Sequence, residues 1–355
     1  MKNAIELFSR LHETPELSMH EEMTKQIIID YLHENTSLEV NDAGDFLYAV
    51  HFENAAFENV AYRADIDAIK SASGKAFHGC GHDGHSAILC RLAEMIDKEC
   101  TGKNIYFFFQ RAEETGEGAK LIAPHLKKLN ISRIYGYHNI PKFEEGTVLL
   151  RDGTFACASK GMTVTFTGKQ SHAAYPESGV NPAFAIARVI GAWNDILKSS
   201  QYEKKVLATI VNVSVGESDA FGVNAGKGSL SVTIRAELDS DLKKLENAIK
   251  EASEREAKKE GISLLYEFFD CFPATINSSA EFEKAKSLLT SSGIKYELLE
   301  SPMRWSEDFG HYLNVTCGMF LGIGTGKSCP DLHTESYTFN TEIIERATEV
   351  LKLLL

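Results

Sequence analysis

No stretch of this chain stays apolar for the roughly 20 residues that a bilayer-spanning helix needs, so no membrane segment is expected. The N-terminus, MKNAIELFSRLHE, carries a charge every few residues and lacks the apolar core of a signal peptide. Basic charge is also short. The 37 Lys and Arg stand against 50 Asp and Glu, a net charge of −13. Nucleic acid and anionic membrane both require basic patches, and neither is expected as a partner. The Lys127-Lys128 pair reads as a solvated helix face. Cysteine is sparse: the 7 present are an odd number and scattered singly. That suits a reducing compartment better than a disulfide framework, and a cytoplasmic location is expected. Low-complexity tracts and internal repeats are missing as well. What is there is 43 % hydrophobic residue in a chain of 355, enough for two domains or for one large domain with an insertion.

Ser18-Met19-His20-Glu21 has the S-x-x-E form of a capping box, and Met23, Ile27, Ile28, Tyr31 and Leu32 follow at helical spacing. Strands are expected at 46–52 and 58–64, a helix at about 85–99, a strand at 104–110, a helix near 117–129 and a strand near 131–138. Phe107, Phe108 and Phe109 sit in a short run bounded by polar residues, which marks a buried parallel strand rather than a base-stacking platform. The alternation predicts an α/β fold with a mostly parallel sheet flanked by helices. Between 161 and 270 the pattern becomes β–α–β–β–α–β, the order of a ferredoxin-like α+β unit. Asn181-Pro182 is placed to start its first helix, running to about 198. We therefore divide the chain into a first domain, 1–160 with 271–355, and an inserted domain, 161–270. The first pattern resumes with a strand near 315–323 and a last helix over 341–354.

The reactive residues fall where those strands end. Asp65 and Asp67 close one strand, Glu113 and Glu114 follow the next, His138 ends a third, and His333 lies in the loop after a fourth. Cys80, His82 and His85 stand together just before a helix. Open parallel sheets gather ligand sites at the carboxyl ends of their strands, so these groups are expected to meet. Singly, each has an ordinary reading: a helix cap, a small buried thiol, a surface carboxylate. Together, thiolate, imidazole and carboxylate form the donor set of zinc and its neighbours. A closed structural site needs fewer groups. Two adjacent glutamates suit a division of labour, one binding metal and one moving protons.

A series of segments extends the pattern along nearly the whole chain. They are LHETPEL at 11–17, RADIDAI at 63–69, CGHDGHSA at 80–87, QRAEETGEGAK at 110–120, YHNIP at 137–141, GKQSHAAYPESGVNP at 168–182, SEDFGHYL at 306–313 and LHTESYTFN at 332–340. In these the sequence resembles the N-acyl-amino-acid amidohydrolases among the metallopeptidases, the group of hippurate hydrolases, auxin-conjugate hydrolases and N-acetyl-diaminopimelate deacetylases. The resemblance implies a zinc-peptidase-like α/β domain carrying an inserted lid, and hydrolysis of the amide bond of a small-molecule N-acyl amino acid. It implies that Cys80, His82, Glu114, His138 and His333 hold one or two divalent ions, zinc or manganese, with Cys80 as a bridge. Glu113 is the implied general base, and Asp67 the group that orients a metal ligand. His172 is implied to steady the oxyanion from a partner subunit, Asn224 to grip the substrate's carboxylate, and the lid to form a homodimer. His85 is read as a supporting residue.

The chain also departs from the family. Arg111 replaces a proline, His78 stands where methionine is common, the segment before Cys80 is short, GVNAGKGS replaces N-V-I-P-D, and LHTE replaces LHTP. These changes bear on substrate choice and leave the metal donors and the base in place. Other readings stay open. One is a metallo-aminopeptidase or dipeptidase acting on free peptides. Another is a hydrolase with Cys80 as nucleophile and His82 or His85 as base, which needs a low-pKa thiol. A third is a binding protein without turnover.

Overall fold

Phe107, Phe108 and Phe109 are fully buried because their strand, Lys103–Gln110, is covered on both faces. It runs parallel to Glu58–Asp65 and antiparallel to Phe46–His51. Phe107 and Phe109 join the core beneath the helices, with Leu89, Leu92 and Ile344. Phe108 packs on Phe46 and Tyr48, with ring centres 6.2 and 5.7 Å away. Burial of each such ring contributes on the order of 2–3 kcal/mol. The structure, a computed structural model, describes residues 2–54, 56–198 and 200–355.

The sheet built around this strand has the order 39–42, 46–51, 103–110, 58–65, 131–140, 317–324, 148–150, 296–298. Its central neighbours are parallel. Antiparallel pairs lie toward the edges, between 39–42 and 46–51 and between 317–324 and 148–150. The helices Lys2–His12, Glu22–Asn35, His82–Ile96, Ser279–Ser291 and Ile343–Leu353 contribute their apolar stripes to one large core.

The chain falls into two compact units. One holds the residues up to Phe155 with Thr275–Pro302 and Glu307–Leu355; the other is Ala156–Ala274 with Met303–Ser306. In the second unit the sheet order is 206–215, 227–236, 158–167, 263–272, and every neighbour is antiparallel. Val164, Phe166, Leu230, Val232 and Ile234 on the sheet meet Ile186, Val189, Leu245 and Ile249 on the helices. The mostly parallel sheet flanked by helices, with an inserted ferredoxin-like unit, is the fold class the pattern predicts. Among the described residues no helix is long and apolar enough to cross a membrane.

Local expectations fail in instructive places. Ser18 and Glu21 form no capping box: Glu21 at the N-cap makes no side-chain cap, and the Thr24 amide of the first turn is bound instead by Glu16 Oε2 at 2.7 Å. Ser18 instead donates to Asp67 at 2.7 Å, and Glu21 is fully buried. Glu21 accepts from the Ala112 amide at 2.8 Å and from Arg111 Nε at 2.8 Å. Arg111 thus has its own buried partner. Met23, counted in the apolar stripe, is 59 % exposed. The third helix begins at His82, not His85, so the imidazole of His82 sits in its first turn.

Candidate metal centre

The turn before helix His82–Ile96 depends on Gly81, whose φ is +94°; a Cβ there would lie 2.8 Å from Asn139 Oδ1. That turn sets Cys80 and His82 beside the end of strand Glu58–Asp65. His82 is fully buried, and its Nδ1 faces the Asp67 carbonyl at 2.9 Å and Asp67 Oδ1 at 3.1 Å. These contacts turn Nε2 the other way. His138 is oriented similarly, with Nδ1 at 2.8 Å from the Asn139 carbonyl and Nε2 at 3.5 Å from Cys80 Sγ. His333 arrives from the loop after strand Cys317–Gly324, with φ +63° and its amide bonded to the Gly79 carbonyl at 2.8 Å. A left-handed histidine costs on the order of 1 kcal/mol, which the surrounding contacts must hold. Its Nε2 lies 3.3 Å from Cys80 Sγ and 3.4 Å from Glu114 Oε1.

The donors form overlapping triads, each with its atoms within 4.8 Å of one another: Cys80/His82/His138, Cys80/Glu114/His333 and His82/Glu113/Glu114. Cys80 and His82 each belong to two of them. Among the described residues, His82 Nε2 and Glu114 Oε1 are buried and make no well-formed hydrogen bond; they face each other at 3.8 Å, with only the long 3.4 Å approach of His333 Nε2 to the Glu114 oxygen. Two orphaned groups of this kind are costly unless something fills the space between them. A cation does so, and the N, S and O donors suit zinc or a neighbouring divalent metal.

The electrostatics agree. Burial opposes a charge on His82, yet Asp65, Asp67 and Glu114 overcome it and push the imidazole up to about 10. The cradle therefore favours positive charge, which a divalent ion supplies in place of that proton. Burial, with Glu114 and Glu113, pushes the Cys80 thiol well above its ordinary range. A nucleophilic cysteine needs the opposite shift, so this environment disfavours the cysteine-hydrolase alternative. A bound metal reverses that logic and takes the thiolate directly. Burial holds His138 well below the usual imidazole range, hence neutral and able to ligate. Glu113 is pushed well above the carboxylate range by burial, Glu307 and Glu114.

Both ring nitrogens of His85 are engaged, Nδ1 with Asp65 and Nε2 with Asn139. His85 therefore supports the neighbouring strands rather than presenting a free nitrogen. His172 and Asn224 lie in the second unit. Ser171–His172 pairs with Val223–Asn224 as a short ribbon, and His172 is exposed. Its Nδ1 accepts from the Ala174 amide at 3.0 Å. The Asn224 amide donates to Ser171 Oγ at 3.0 Å and to the Pro176 carbonyl at 3.4 Å, and accepts from Asn181 at 2.8 Å. Its donors are spent on shaping the loop that carries His172. Sequence reasoning gave no role to Arg63, Glu307 or Asp308, although Glu113, Glu307 and Asp308 form another close group of carboxylates. The SEDF motif was the available signal.

Residues 61–355 match Peptidase family M20/M25/M40. The chain belongs to this family. It is a metal-dependent amide hydrolase, and its clustered donors suit one or two divalent ions. It is 27 % identical, over 97 % of its length and 96 % of the relative, to an N-acetyldiaminopimelate deacetylase of Exiguobacterium sibiricum. An uncharacterized hydrolase of Staphylococcus haemolyticus is 29 % identical, over 94 % of this chain and 92 % of that one. Among solved structures, a dinuclear metal binding peptidase of the M20 family from Bacillus subtilis superposes with a TM-score of 0.84 at 23 % identity, covering 99 % of this chain and 96 % of its own. An aminobenzoyl-glutamate utilization protein from Klebsiella pneumoniae gives 0.75 at 16 % identity, covering 99 % and 95 %. At these identities the structural likeness speaks for the fold.

Proposed function

We propose that the chain hydrolyses the amide bond of a small N-acyl amino acid, releasing the free amino acid. The observation that carries this reading is the pair of orphaned buried groups, His82 Nε2 and Glu114 Oε1, set 3.8 Å apart among sulfur and imidazole donors. A deacetylase relative aligned over 97 % of the chain supports the substrate class. Cys80, His82, Glu114, His138 and His333 would hold the metal, zinc or manganese. When bound, such ions polarise the scissile carbonyl and lower the pKa of water toward neutrality.

The remaining work falls to the chain's own residues. Glu113 takes the proton from the attacking water and returns it to the leaving amine. Asp67 fixes the His82 ring so that Nε2 keeps its aim. His172 supplies a hydrogen bond to the oxyanion of the tetrahedral intermediate. Loss of one such donor costs on the order of 100–1000-fold in turnover. A homodimer formed through the inserted unit, and a cytoplasmic setting, belong to the same reading.

The test is a panel of N-acyl amino acids and matching free dipeptides, scored by amine release with zinc- or manganese-loaded protein. Glu113→Gln should keep its metal and lose about 100- to 10,000-fold in turnover. Parental turnover in that variant, or turnover confined to peptides with a free N-terminus, overturns the assignment.

A further inference from the structure

Glu307 and Asp308 have no part in the reaction described above, yet both are buried beside its base. Glu113, Glu307 and Asp308 each offer a carboxylate oxygen within 4.8 Å of the others. Arg63, fully buried, is the cation that faces them. Its Nη2 lies 2.8 Å from Asp308 Oδ1 and 3.0 Å from Glu307 Oε1. Its Nη1 lies 2.6 Å from Asp65 Oδ2, and its Nε 2.8 Å from Gln110 Oε1. Asp308 is tied further by Gln110 Nε2 at 2.7 Å and by the Ala119 amide at 2.8 Å. The guanidinium fork is therefore full. Glu113 makes no ion pair with it. One oxygen of Glu113 receives a long 3.4 Å contact from the Asp308 amide, and the other lies 4.0 Å from His82 Nε2.

Nothing in covalent geometry obliges Glu113 to point that way. A two-pronged arginine–carboxylate pair is the strongest alternative for a buried carboxylate, and Arg63 is within its neighbourhood. We propose that Glu307 is a positioning residue for Glu113: by filling the Arg63 fork it denies Glu113 that partner and keeps it turned toward the metal cradle. This rests on Glu113 being the base. The weak Asp308 contact then acts as a soft stop, leaving Glu113 free to carry a proton between two partners.

Two variants test it in the metal-loaded protein. Glu307→Gln keeps the shape and still accepts from Arg63, but as a neutral acceptor it holds the fork less firmly. Glu307→Ala vacates the fork and lets Glu113 fall back. Kcat should drop roughly 10-fold in the first and on the order of 100-fold in the second, as expected when a reacting group is displaced by about 1 Å. KM and bound metal per chain should stay at the parent values. Parental kcat in the variants overturns the proposal. So does a fall in kcat matched by an equal fall in bound metal, which would make Glu307 structural only. If the alanine variant does not accumulate, the glutamine variant decides alone. Glu113→Gln in the same assay separates the two claims. If it turns over at the parent rate, the base reading fails; if it is inactive while the Glu307 variants are not impaired, the positioning role alone fails.

Discussion

Replacing Arg63 with methionine removes the cation from a fully buried group of carboxylates. Methionine fills most of the volume, so the cost is chiefly electrostatic. Asp65, Glu307 and Asp308 lie 2.6, 3.0 and 2.8 Å from the guanidinium, and among the described residues no other Lys or Arg pairs with them; Asp65 also meets the His85 ring. Breaking a buried ion pair from one side costs about 3–5 kcal/mol. Three pairs break here, but the carboxylates are not helpless. Asp308 keeps the Gln110 and Ala119 donors, and either member of the Glu307–Asp308 pair can take up a proton. A net loss of about 4 kcal/mol follows, within the range for one broken pair. In a unit of this size that lowers the melting temperature by roughly 8–16 °C. The sign of the pH effect is fixed by charge. Burial already holds Glu307 up to about 8 and Asp308 up to about 6 with Arg63 in place; losing the guanidinium raises both further, so the neutral forms favour folding and the deficit relative to the parent grows as pH rises. Thermal melts of parent and Arg63→Met, metal-loaded, near pH 5 and pH 8 read both effects. A variant melting within about 2 °C of the parent at the higher pH would refute the account, because less than about 1 kcal/mol would then be at stake.

Gly84→Ala probes the packing that brings the loop carrying His333 to the metal centre. A Cβ at Gly84 would lie 2.3 Å from ring atoms of Phe339, which is buried. Overpacking costs about 1–3 kcal/mol against a helix-propensity gain of at most about 1 kcal/mol. The variant should melt lower and release metal faster, and a higher melting temperature would contradict the packing. Glu246→Gln tests a buried carboxylate in the second unit. Burial opposes its ionisation, but Lys160, Lys243 and Lys250, at 2.6, 2.9 and 2.7 Å, hold its carboxyl down to about 2. Because the folded value is depressed, the stabilisation is present above the ordinary 4.5 and drains as pH falls toward about 2. The melting gap between parent and variant should be widest near neutral pH and close through that acid window; a gap that does not change with pH would show that the lysine pairs are not its source.

The strands at the centre of the sheet were legible because burial on both faces demands continuous apolar runs. IYFFF is such a run, and its neighbours end in the residues that carry chemistry. The failures were local signals overruled by distant partners. Glu21 looked like half of a capping box and instead binds the turn at Arg111 and Ala112, some 90 positions on. Met23 kept the helical period but fell on a solvent-facing turn. The SEDF motif was visible as letters, but no periodicity says that Asp308 will meet Arg63 across 245 positions.

Residue type and spacing alone pointed to the central strands, the α/β class with its inserted ferredoxin-like unit, and the reactive groups gathered at the strand ends, since hydrophobic period and donor chemistry are properties of short stretches. Only the tertiary structure decided which imidazole nitrogen faces the cradle, that Cys80 and His333 stand 3.3 Å apart, and which carboxylates share one arginine. Those outcomes depend on burial, where a charge without a partner is costly and the partner is chosen by three-dimensional packing rather than by nearness along the chain.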